Sequence, residues 1–283
     1  MVNSIRIYGA ETYVGSFLCD FLLALGFKMR MGTTLGHKVH EFECDGILPG
    51  VESTSEIRVT ILCSHPSRRI MSEDKVKYYE TAILEVCKIA QLEREFGCTG
   101  LIFLGTYWQE PKDMRYTFLN DYATSKEIIQ TLLTTISNEK CTFRSLHLFD
   151  VYGPGDPRKK LIPNLIQASI RNQVVEIHNP NATIVPLYIS DVVEGIWATV
   201  LSTISQSKDR SITYSLPGSQ RLEVHEVVEV VRTLLPGLKT SSKATSEGNY
   251  QVIDGTSRYS SPPGWKPKVS LRDGLILTID SFA

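Results

Sequence analysis

Apolar and polar positions follow two different periods at the start of the chain. Ser4–Tyr8 alternates with the two-residue period of a strand, and the apolar positions from Val14 to Leu25 fall at helical spacing. Gly9 stands between these two segments, and Gly26 follows the second one. The pattern therefore predicts a strand, a glycine turn and a helix at the start of the chain.

Strand and helix patterns alternate along the rest of the chain. Strands are expected at about Lys28–Gly32, Val59–Ser64 and Leu101–Leu104, and helices around Glu73–Phe96 and Val224–Leu235. Such alternation is typical of an α/β protein whose strands run parallel to one another. The predicted fold class is therefore a Rossmann-type α/β fold with a doubly wound parallel sheet.

Composition and charge exclude several classes of protein. Of the 283 residues, 42% are hydrophobic and 22% are charged, which excludes a disordered, collagen-like or coiled-coil chain. The formal net charge of −1 gives no reason to expect nucleic acid or an acidic membrane surface as a partner. No apolar run reaches the roughly 18 residues of a membrane span, so we expect a cytoplasmic protein. The six cysteines include no Cys-x-x-Cys pair, which favours free thiols.

The turn between the first strand and the first helix has the spacing of a dinucleotide-binding loop. Glycines at such a turn let the backbone approach a pyrophosphate, and the amides of the following helix then bind the anion. Here two of the three expected glycines are present, and Thr12 replaces the middle one. The residues of this turn assigned to the cofactor site are Gly9, Thr12, Tyr13, Val14 and Gly15. A strand–helix turn without a ligand is the alternative interpretation.

Cofactor preference is predicted from the end of the second strand. An Asp or Glu there would hold the adenosine ribose 2′-hydroxyl and repel a 2′-phosphate. The chain has Thr33 and Thr34 instead, and both hydroxyls are compatible with a 2′-phosphate. NADP(H) is therefore favoured over NAD(H). Cys63, at the end of the next predicted strand, is also assigned to the cofactor site.

A strand-end hydroxyl and a Tyr-x-x-x-Lys pair are the candidates for acid–base chemistry. Thr106 lies at the carboxyl end of a predicted strand, which is the end of a doubly wound sheet where ligands bind. Tyr122 and Lys126 are four residues apart at the start of a predicted helix and so share one face. A nearby ammonium favours the phenolate form of a tyrosine, which then serves as a general acid or base near neutral pH. Such a pair is common on solvated helices, but the glycine turn and Thr106 make it specific.

Further motifs extend these matches along almost the whole chain. They are Leu148–Asp156, Leu161–Pro163, Leu187–Val193 and Pro263–Pro267. With the preceding motifs, in this order, the chain resembles the extended short-chain dehydrogenase/reductase family, which includes nucleotide-sugar epimerases, dehydratases and reductases. The resemblance implies a Rossmann region over 1–150 with a return segment at about 185–210. It also implies a substrate-binding lobe over 151–184 and 211–283, and a possible homodimer.

The resemblance implies a role for each candidate site residue. Tyr122 would be the acid/base, Lys126 would hold the nicotinamide ribose and tune Tyr122, and Thr106 would hydrogen-bond the reacting oxygen. The partner would be a nucleoside-diphosphate sugar lying between the two lobes. The residues expected to contact this substrate are Tyr107, Trp108, Val151, Tyr152 and Lys160.

The reaction type is predicted from the residues after Thr106. Dehydratases of this family carry an Asp-Glu pair there, and this chain has Tyr107 and Trp108 instead. With the short segment between Thr106 and Tyr122, this pattern most resembles the reductases of 4-keto-6-deoxy sugar nucleotides, of the CDP-abequose and CDP-paratose type. We therefore expect an NADPH-dependent 4-ketoreductase of deoxysugar biosynthesis. The alternatives are an epimerase or NAD-dependent dehydrogenase acting on a similar sugar, or a non-catalytic member that binds nucleotide.

Two departures from the family pattern concern charge. His147 stands where the family usually has Arg, and Val185-Pro186 replaces an Arg-Asp pair that would clamp the diphosphate. The basic residues Arg158, Lys159 and Lys160 could replace that clamp or belong to a solvated loop.

A metal site is not expected. His37, His40, Glu41 and Cys44 have the side chains of metal ligands, but their spacing matches no standard zinc pattern. This segment is expected to be a solvent-facing loop after the second strand.

Overall fold

The computed structural model divides the chain into two compact units. Unit 1 comprises Met1–Leu148, Val193–Leu216 and Arg258–Trp265, and unit 2 comprises Phe149–Val192, Pro217–Ser257 and Lys266–Ala283. The structure describes residues 2–34, 37–45, 56–63, 74–110, 120–136, 141–205, 209–242 and 255–282. Two later segments, Val193–Leu216 and Arg258–Trp265, belong to unit 1. The return segment at about 185–210 stays an expectation from the sequence.

Strands and helices alternate through most of the described chain. The strands are β1 Val2–Tyr8, β2 Lys28–Thr34, β3 His37–Asp45, β4 Arg58–Leu62, β5 Gly100–Thr106, β6 Thr142–Leu148, β7 Asp150–Tyr152, β8 Val174–Ile177, β9 Thr183–Ile184, β10 Pro186–Tyr188, β11 Ser211–Leu216, β12 Leu222–Glu223 and β13 Lys239–Ser242. The helices are α1 Tyr13–Ala24, α2 Lys75–Tyr79, α3 Glu85–Glu95, α4 Asp121–Ile136, α5 Leu161–Ile170, α6 Ile189–Ile204, α7 Val224–Leu234 and α8 Leu271–Asp280. A π-helical turn, Glu80–Leu84, joins α2 to α3, and a 3₁₀ turn, Tyr107–Gln109, follows β5.

The described strands of unit 1 form a seven-stranded sheet in the order β11-β6-β5-β4-β1-β3-β2. From β11 to β1 the neighbouring strands are parallel, and every residue of β5 is buried. The sequences of parallel strands that are covered by helices on both faces are nearly continuous apolar runs, and β4 and β5 have such sequences. The doubly wound α/β fold predicted from the sequence is confirmed.

The segment expected to be a loop after the second strand is instead strand β3. It pairs antiparallel with β1 on one side and with β2 on the other. Its charged residues make cross-strand ion pairs: Glu41 with Arg6 at 3.0 Å, and Glu43 with Arg30 at 3.3 Å. Oppositely charged side chains that lie directly opposite or diagonally across adjacent strands stabilise a sheet. The expectation of a loop was wrong because these charges face neighbouring strands as well as solvent.

The potential metal ligands of β3 do not converge. His40 and Glu41 are consecutive strand residues and so project from opposite faces of the sheet. Within the ranges the structure describes, no group of three or more His, Cys, Asp or Glu side chains is arranged to hold a metal ion. None of the described helices is both long and apolar enough to cross a membrane.

Unit 2 contains short paired strands and three helices, among the described residues. β7 pairs parallel with β10, β8 parallel with β13, and β9 antiparallel with β12. The buried carboxylate of Asp191 accepts hydrogen bonds from the backbone amides of Lys268 at 3.1 Å and Val269 at 3.0 Å. These bonds hold the segment that leads into α8.

Truncation of Phe42 tests whether β3 is part of the folded sheet. Phe42 is fully buried, whereas Met31 on β2 is 75% exposed. We expect Phe42→Ala to lower the free energy of unfolding by about 3–5 kcal/mol, because a cavity replaces a buried ring. Met31→Ala is the control and should change it by less than about 0.5 kcal/mol. Denaturant melts of both variants measure the difference, and equal, small effects would contradict the placement of β3.

Candidate active site

The glycine turn at the end of β1 is closed by Thr12. Gly9 has a φ of +83°, a conformation that glycine adopts at little cost. Its carbonyl accepts hydrogen bonds from the Thr12 amide at 3.0 Å and from the Thr12 hydroxyl at 2.7 Å. Thr12 therefore stabilises the tight turn at the position where a glycine was expected.

Thr12 also caps helix α1. Its Oγ1 accepts a hydrogen bond from the Gly15 amide at 3.2 Å, which uses one of the amides at the helix amino terminus. A Cβ on Gly15 would lie 2.1 Å from the Gly9 carbonyl oxygen, so only glycine lets the helix approach the strand this closely. Tyr13 and Val14 are the first residues of the helix. The five turn residues predicted for the cofactor site therefore lie together at one helix amino terminus, where an anion is favoured.

The two threonines predicted to select the cofactor lie farther from this turn than expected. Thr33 and Thr34 end β2, and β3 separates that strand from β1. Two strand spacings amount to about 10 Å. The residues of β3 at this end of the sheet are Lys38, which lies opposite Thr33, and Val39, which lies opposite Tyr8 at the end of β1. Lys38 is therefore the basic residue nearest in register to the glycine turn on this side.

Lys126 is buried against the carboxyl end of β5. It is 3% exposed, its ammonium donates a hydrogen bond of 2.7 Å to the Leu104 carbonyl, and it lies 4.6 Å from the centroid of the Phe103 ring. Burial lowers the pKa of Lys126 to about 7, because the charged form loses its hydration. The interaction with Cys63 opposes this shift.

Cys63 lies directly after β4, near Lys126 and the glycine turn. Its amide donates a hydrogen bond of 2.8 Å to the Tyr8 carbonyl, which extends the pairing of β4 with β1. Burial raises the pKa of the Cys63 thiol, so the thiol stays protonated at neutral pH. The structure thus brings two of the predicted cofactor residues, Cys63 and Lys126, to neighbouring strand ends.

Tyr122 lies in the first turn of α4, one helical turn before Lys126. The Lys126 Nζ atom is 5.9 Å from the centroid of the Tyr122 ring, and the Tyr122 residue is half-buried. The helix begins after Asn120, whose Oδ1 accepts a hydrogen bond of 3.0 Å from the Ala123 amide. The predicted pair therefore shares one face, with the amine buried and the phenol partly open.

Two tyrosines before the π-helical turn anchor the start of α4. Tyr78 shares a buried hydrogen bond of 3.0 Å with Ser125, and the Tyr79 hydroxyl donates to Asp121 at 3.2 Å. Asp121 also pairs with the Lys75 ammonium at 2.7 Å, and that hydrogen bond lowers the pKa of its carboxyl group. These contacts fix the turn of helix that carries Tyr122.

Thr106 ends β5 and caps the 3₁₀ turn that follows it. Its Oγ1 accepts a hydrogen bond of 3.4 Å from the Trp108 amide, so its hydroxyl proton can still be donated elsewhere. The Thr106 amide donates to Gln109 Oε1 at 2.8 Å, which completes a capping box. Sequence reasoning did not single out Gln109, although Thr-x-x-Gln is the spacing of a capping box.

The substrate residues predicted after Thr106 differ in exposure. Tyr107 is 7% exposed, Trp108 is partly exposed, and their rings meet edge to face at 6.1 Å. Neither carries the carboxyl group that acid–base catalysis of dehydration would use at these two positions.

The remaining predicted substrate residues belong to unit 2. Val151 and Tyr152 are buried in β7, and the Tyr152 hydroxyl donates to the Leu271 carbonyl at 3.4 Å. A Cβ on Gly274 would lie 2.2 Å from that hydroxyl, so α8 packs directly against it. Lys160 is exposed and immediately precedes α5. Contact with substrate stays a prediction for all three, and Tyr152 already has a structural role.

Arg158 is held by its own loop. Its guanidinium donates two hydrogen bonds of 2.7 Å to Asp156, a carboxylate that is 1% exposed, and one of 3.1 Å to the Val151 carbonyl. A diphosphate would have to compete with this buried carboxylate. Of the three basic residues proposed as a replacement clamp, Arg158 is therefore the least suited.

Replacement of Lys126 tests the cost of burying its charge. An unfolded lysine keeps its proton up to about pH 10.4, whereas the pKa of Lys126 in the folded chain is about 7. Between these pH values the unfolded chain binds more protons, so the wild type gains stability as the pH rises. We expect Lys126→Met to melt at a higher temperature than the wild type at pH 7, with the gap narrowing towards pH 10. The exposed Lys88→Met is the control, and a gap that does not change with pH would contradict the burial argument.

Comparison with known proteins relates this site to a family. The model of the NAD dependent epimerase/dehydratase family matches residues 5–212. The CDP-abequose synthase of Yersinia pseudotuberculosis is 24% identical over 151 residues, which are 53% of this chain and 51% of that protein. The chain spans about half the length of the curated relatives it matches.

Solved structures share the fold at low sequence identity. A UDP-glucuronic acid 4-epimerase from Bacillus cereus, in complex with UDP-glucuronic acid and NAD, superposes with a TM-score of 0.70 at 14% identity, over 98% of both chains. RMD from Pseudomonas aeruginosa, complexed with NADPH, gives 0.67 at 14% identity, also over 98% of both chains. The family model covers well over half of the sequence, from β1 into β11. The chain therefore belongs to the NAD dependent epimerase/dehydratase family.

Proposed function

We propose that the protein is an oxidoreductase that uses NADPH to reduce the 4-keto group of a 4-keto-6-deoxy nucleoside-diphosphate sugar. The observation that carries this proposal is the placement of Lys126. Its amine is buried at the carboxyl end of β5 and lies 5.9 Å from the Tyr122 ring. A tyrosine beside a buried amine, at the edge of the sheet where the glycine turn lies, suits proton transfer next to a dinucleotide.

The chain's own residues would supply the proton of this reduction. The bound nicotinamide would supply a hydride to the carbonyl carbon. Tyr122 would donate the proton of its hydroxyl to the carbonyl oxygen, and the Thr106 hydroxyl would hydrogen-bond that oxygen. Because the pKa of Lys126 is about 7, this amine can return a proton to Tyr122 near neutral pH.

Reduction is favoured over dehydration by the residues of the 3₁₀ turn. Elimination of water needs an acid and a base close to the sugar. Tyr107 and Trp108 stand at the two positions concerned, and Tyr107 is buried. Reduction needs only one proton donor, and Tyr122 provides it.

An epimerase or NAD-dependent dehydrogenase is the second candidate. It would use the same three residues, Thr106, Tyr122 and Lys126, and the NAD-bound 4-epimerase described above has the same fold. The two functions differ in the fate of the cofactor, since an epimerase keeps it and regenerates it in each cycle. A non-catalytic role in binding nucleotide would not require Tyr122.

NADP(H) is the cofactor that we propose, and Lys38 is the residue that supports it. This lysine is exposed at the start of β3, beside the strand that leads into the glycine turn. An ammonium there would favour a 2′-phosphate by charge. Thr33, opposite Lys38 on β2, could contribute its hydroxyl.

A panel of sugars with the Tyr122→Phe variant tests the proposed reaction. Purified wild type is mixed with NADPH and CDP-, dTDP- or GDP-linked 4-keto-6-deoxy sugars, and nicotinamide absorbance is followed. We expect oxidation with one of them and at least a 100-fold lower kcat in Tyr122→Phe, because general acid catalysis contributes about 10²–10⁴-fold. NADPH binding should be retained by the variant. No oxidation, together with tightly bound cofactor in the purified protein, would favour the epimerase or dehydrogenase instead.

Substitution of Lys38 tests cofactor preference by binding alone. Loss of an ionic hydrogen bond to the 2′-phosphate should weaken NADPH about tenfold or more in Lys38→Ala and leave NADH unchanged. Calorimetric titration of both nucleotides measures this. Lys77→Ala, an exposed lysine on α2, is the matched control. An equal loss of affinity for NADPH and NADH would show that Lys38 does not bind the 2′-phosphate.

A further inference from the structure

A buried polar network lies behind Thr106. The Thr106 amide donates to Gln109 Oε1 at 2.8 Å, and Gln109 is fully buried. Gln109 Nε2 donates to Gln130 Oε1 at 3.1 Å and to Glu127 Oε2 at 3.0 Å. The end of β5 is thus joined through one amide side chain to helix α4.

His147, on strand β6, continues this network to a carboxylate. It is fully buried, with Nε2 at 2.9 Å from Gln130 Oε1 and Nδ1 at 2.9 Å from Glu110 Oε1. The other oxygen of Glu110 accepts a hydrogen bond of 3.0 Å from the Arg258 amide. The Glu110 side chain is 7% exposed, so both members of the pair are shielded from water.

The backbone amide of Thr106 fixes the direction of every hydrogen bond along this chain of residues. An amide N–H can only donate, so Gln109 presents its oxygen to Thr106 and its NH₂ group to Gln130. Gln130 must then present its oxygen, because two NH₂ groups cannot hydrogen-bond each other. His147 Nε2 faces that oxygen and therefore carries a hydrogen.

The remaining ring nitrogen of His147 must also share a hydrogen. A neutral ring protonated at Nε2 would direct the lone pair of Nδ1 at the Glu110 carboxylate, and two acceptors 2.9 Å apart repel each other. One further proton therefore lies between the two groups. We propose that His147 and Glu110 form a buried imidazolium–carboxylate pair that acts, through Gln130 and Gln109, as a positioning device for Thr106.

Close packing transmits the position of the pair to the end of β5. A Cβ on Gly105 would lie 2.6 Å from Gln109 Oε1 and 2.8 Å from His147 Cδ2. The network therefore touches the backbone of the residue directly before Thr106. A shift of the His147 ring would move either the Gln109 amide or this strand end.

Charged and aromatic side chains surround the pair. Glu110 contacts the ring directly. Glu127 on α4 accepts a hydrogen bond from Gln109 and is linked to the ring only through Gln109 and Gln130. On the segment that packs against β6, the Tyr259 ring meets the imidazole edge to face at 5.2 Å. The Arg258 guanidinium lies 4.9 Å from the Tyr259 ring centroid. Among the described residues, Glu110 is thus the carboxylate in direct contact with the His147 ring, and the Arg258 guanidinium lies beyond Tyr259.

Substitution of Glu110 by glutamine tests the role of the extra proton separately from that of the hydrogen bonds. In Glu110→Gln the amide oxygen can accept from the Arg258 amide, while the NH₂ group donates to Nδ1 of a neutral His147. The hydrogen bonds to His147 and to the Arg258 amide are then kept, and the extra proton is no longer needed. Glu110→Ala, in contrast, removes the partner of His147 Nδ1 and of the Arg258 amide.

The first measurement does not depend on the proposed function. Unfolded histidine is neutral above about pH 6.5, so the folded wild type would hold a proton that the unfolded chain has released. The melting temperature of the wild type should therefore fall relative to that of Glu110→Gln as the pH rises from 6 to 9. Nitrogen-15 NMR should show both ring nitrogens of His147 protonated in the wild type at pH 7.5. In Glu110→Gln only Nε2 should be protonated, with the signals identified by their loss in His147→Gln.

A neutral His147 ring in the wild type, or a melting difference that does not change with pH, would overturn the ion pair. Glu110→Ala calibrates the melting experiment and should melt about 5 °C or more below the wild type, because buried polar groups lose their partners.

The second measurement concerns Thr106 and rests on the proposed ketoreductase function. We expect Glu110→Ala to lower kcat at least tenfold with KM for the sugar within about twofold, because Thr106 would assist the reacting oxygen after binding. Glu110→Gln, which keeps the hydrogen bonds of this side chain to His147 and the Arg258 amide, should restore most of that loss. Equal kcat in the wild type and Glu110→Ala would overturn the positioning role. An inactive wild type would refute the proposed function and leave the NMR and melting results as the test of the pair.

Discussion

The hydrogen bond from Lys126 to the Leu104 carbonyl is the interaction on which the candidate site depends. It joins α4 to the carboxyl end of β5, so it sets the distance between the strand that carries Thr106 and the helix that carries Tyr122. Burial makes the charged form of this amine energetically costly. Ionisable groups with strongly shifted pKa values cluster at functional sites. The tyrosines that anchor the start of α4 and the network behind Thr106 hold the two sides of this contact in place.

Local sequence patterns predicted the central part of the fold and of the site. The glycine turn, the strand-end Thr106 and the Tyr122–Lys126 pair depend on spacings of a few residues, which periodicity and turn chemistry reveal. The identity of β3 depends instead on partners far along the chain. Glu41 pairs with Arg6, and Phe42 is buried by residues that the sequence does not place beside it. In the sequence, where the strand partners of this segment cannot be seen, its charged residues indicate a loop. The structure shows that they belong to a sheet, because strands lie on both sides of the segment.

The same distinction separates the parts of the site that could be predicted from those that could not. Thr12 was a departure from a glycine pattern, and its hydroxyl both closes the turn and caps α1. The network behind Thr106 combines residues from β5, α4, β6 and the segment before Trp265, so no spacing connects them. Gln109 alone had a local signal. Long-range hydrogen-bond partners of this kind are fixed by tertiary packing, which a single sequence does not display.

The β2–β3 hairpin gives this edge of the sheet a graded local stability. Lys28 to Thr33 are all exposed, so β2 is held by its ladder to β3 and by few buried side chains. β3 in turn contributes Val39 and Phe42 to the interior, and β5 is buried at every position. Local opening should therefore proceed from the edge inward, with the amides of β2 exchanging with solvent first and those of β5 only on global unfolding.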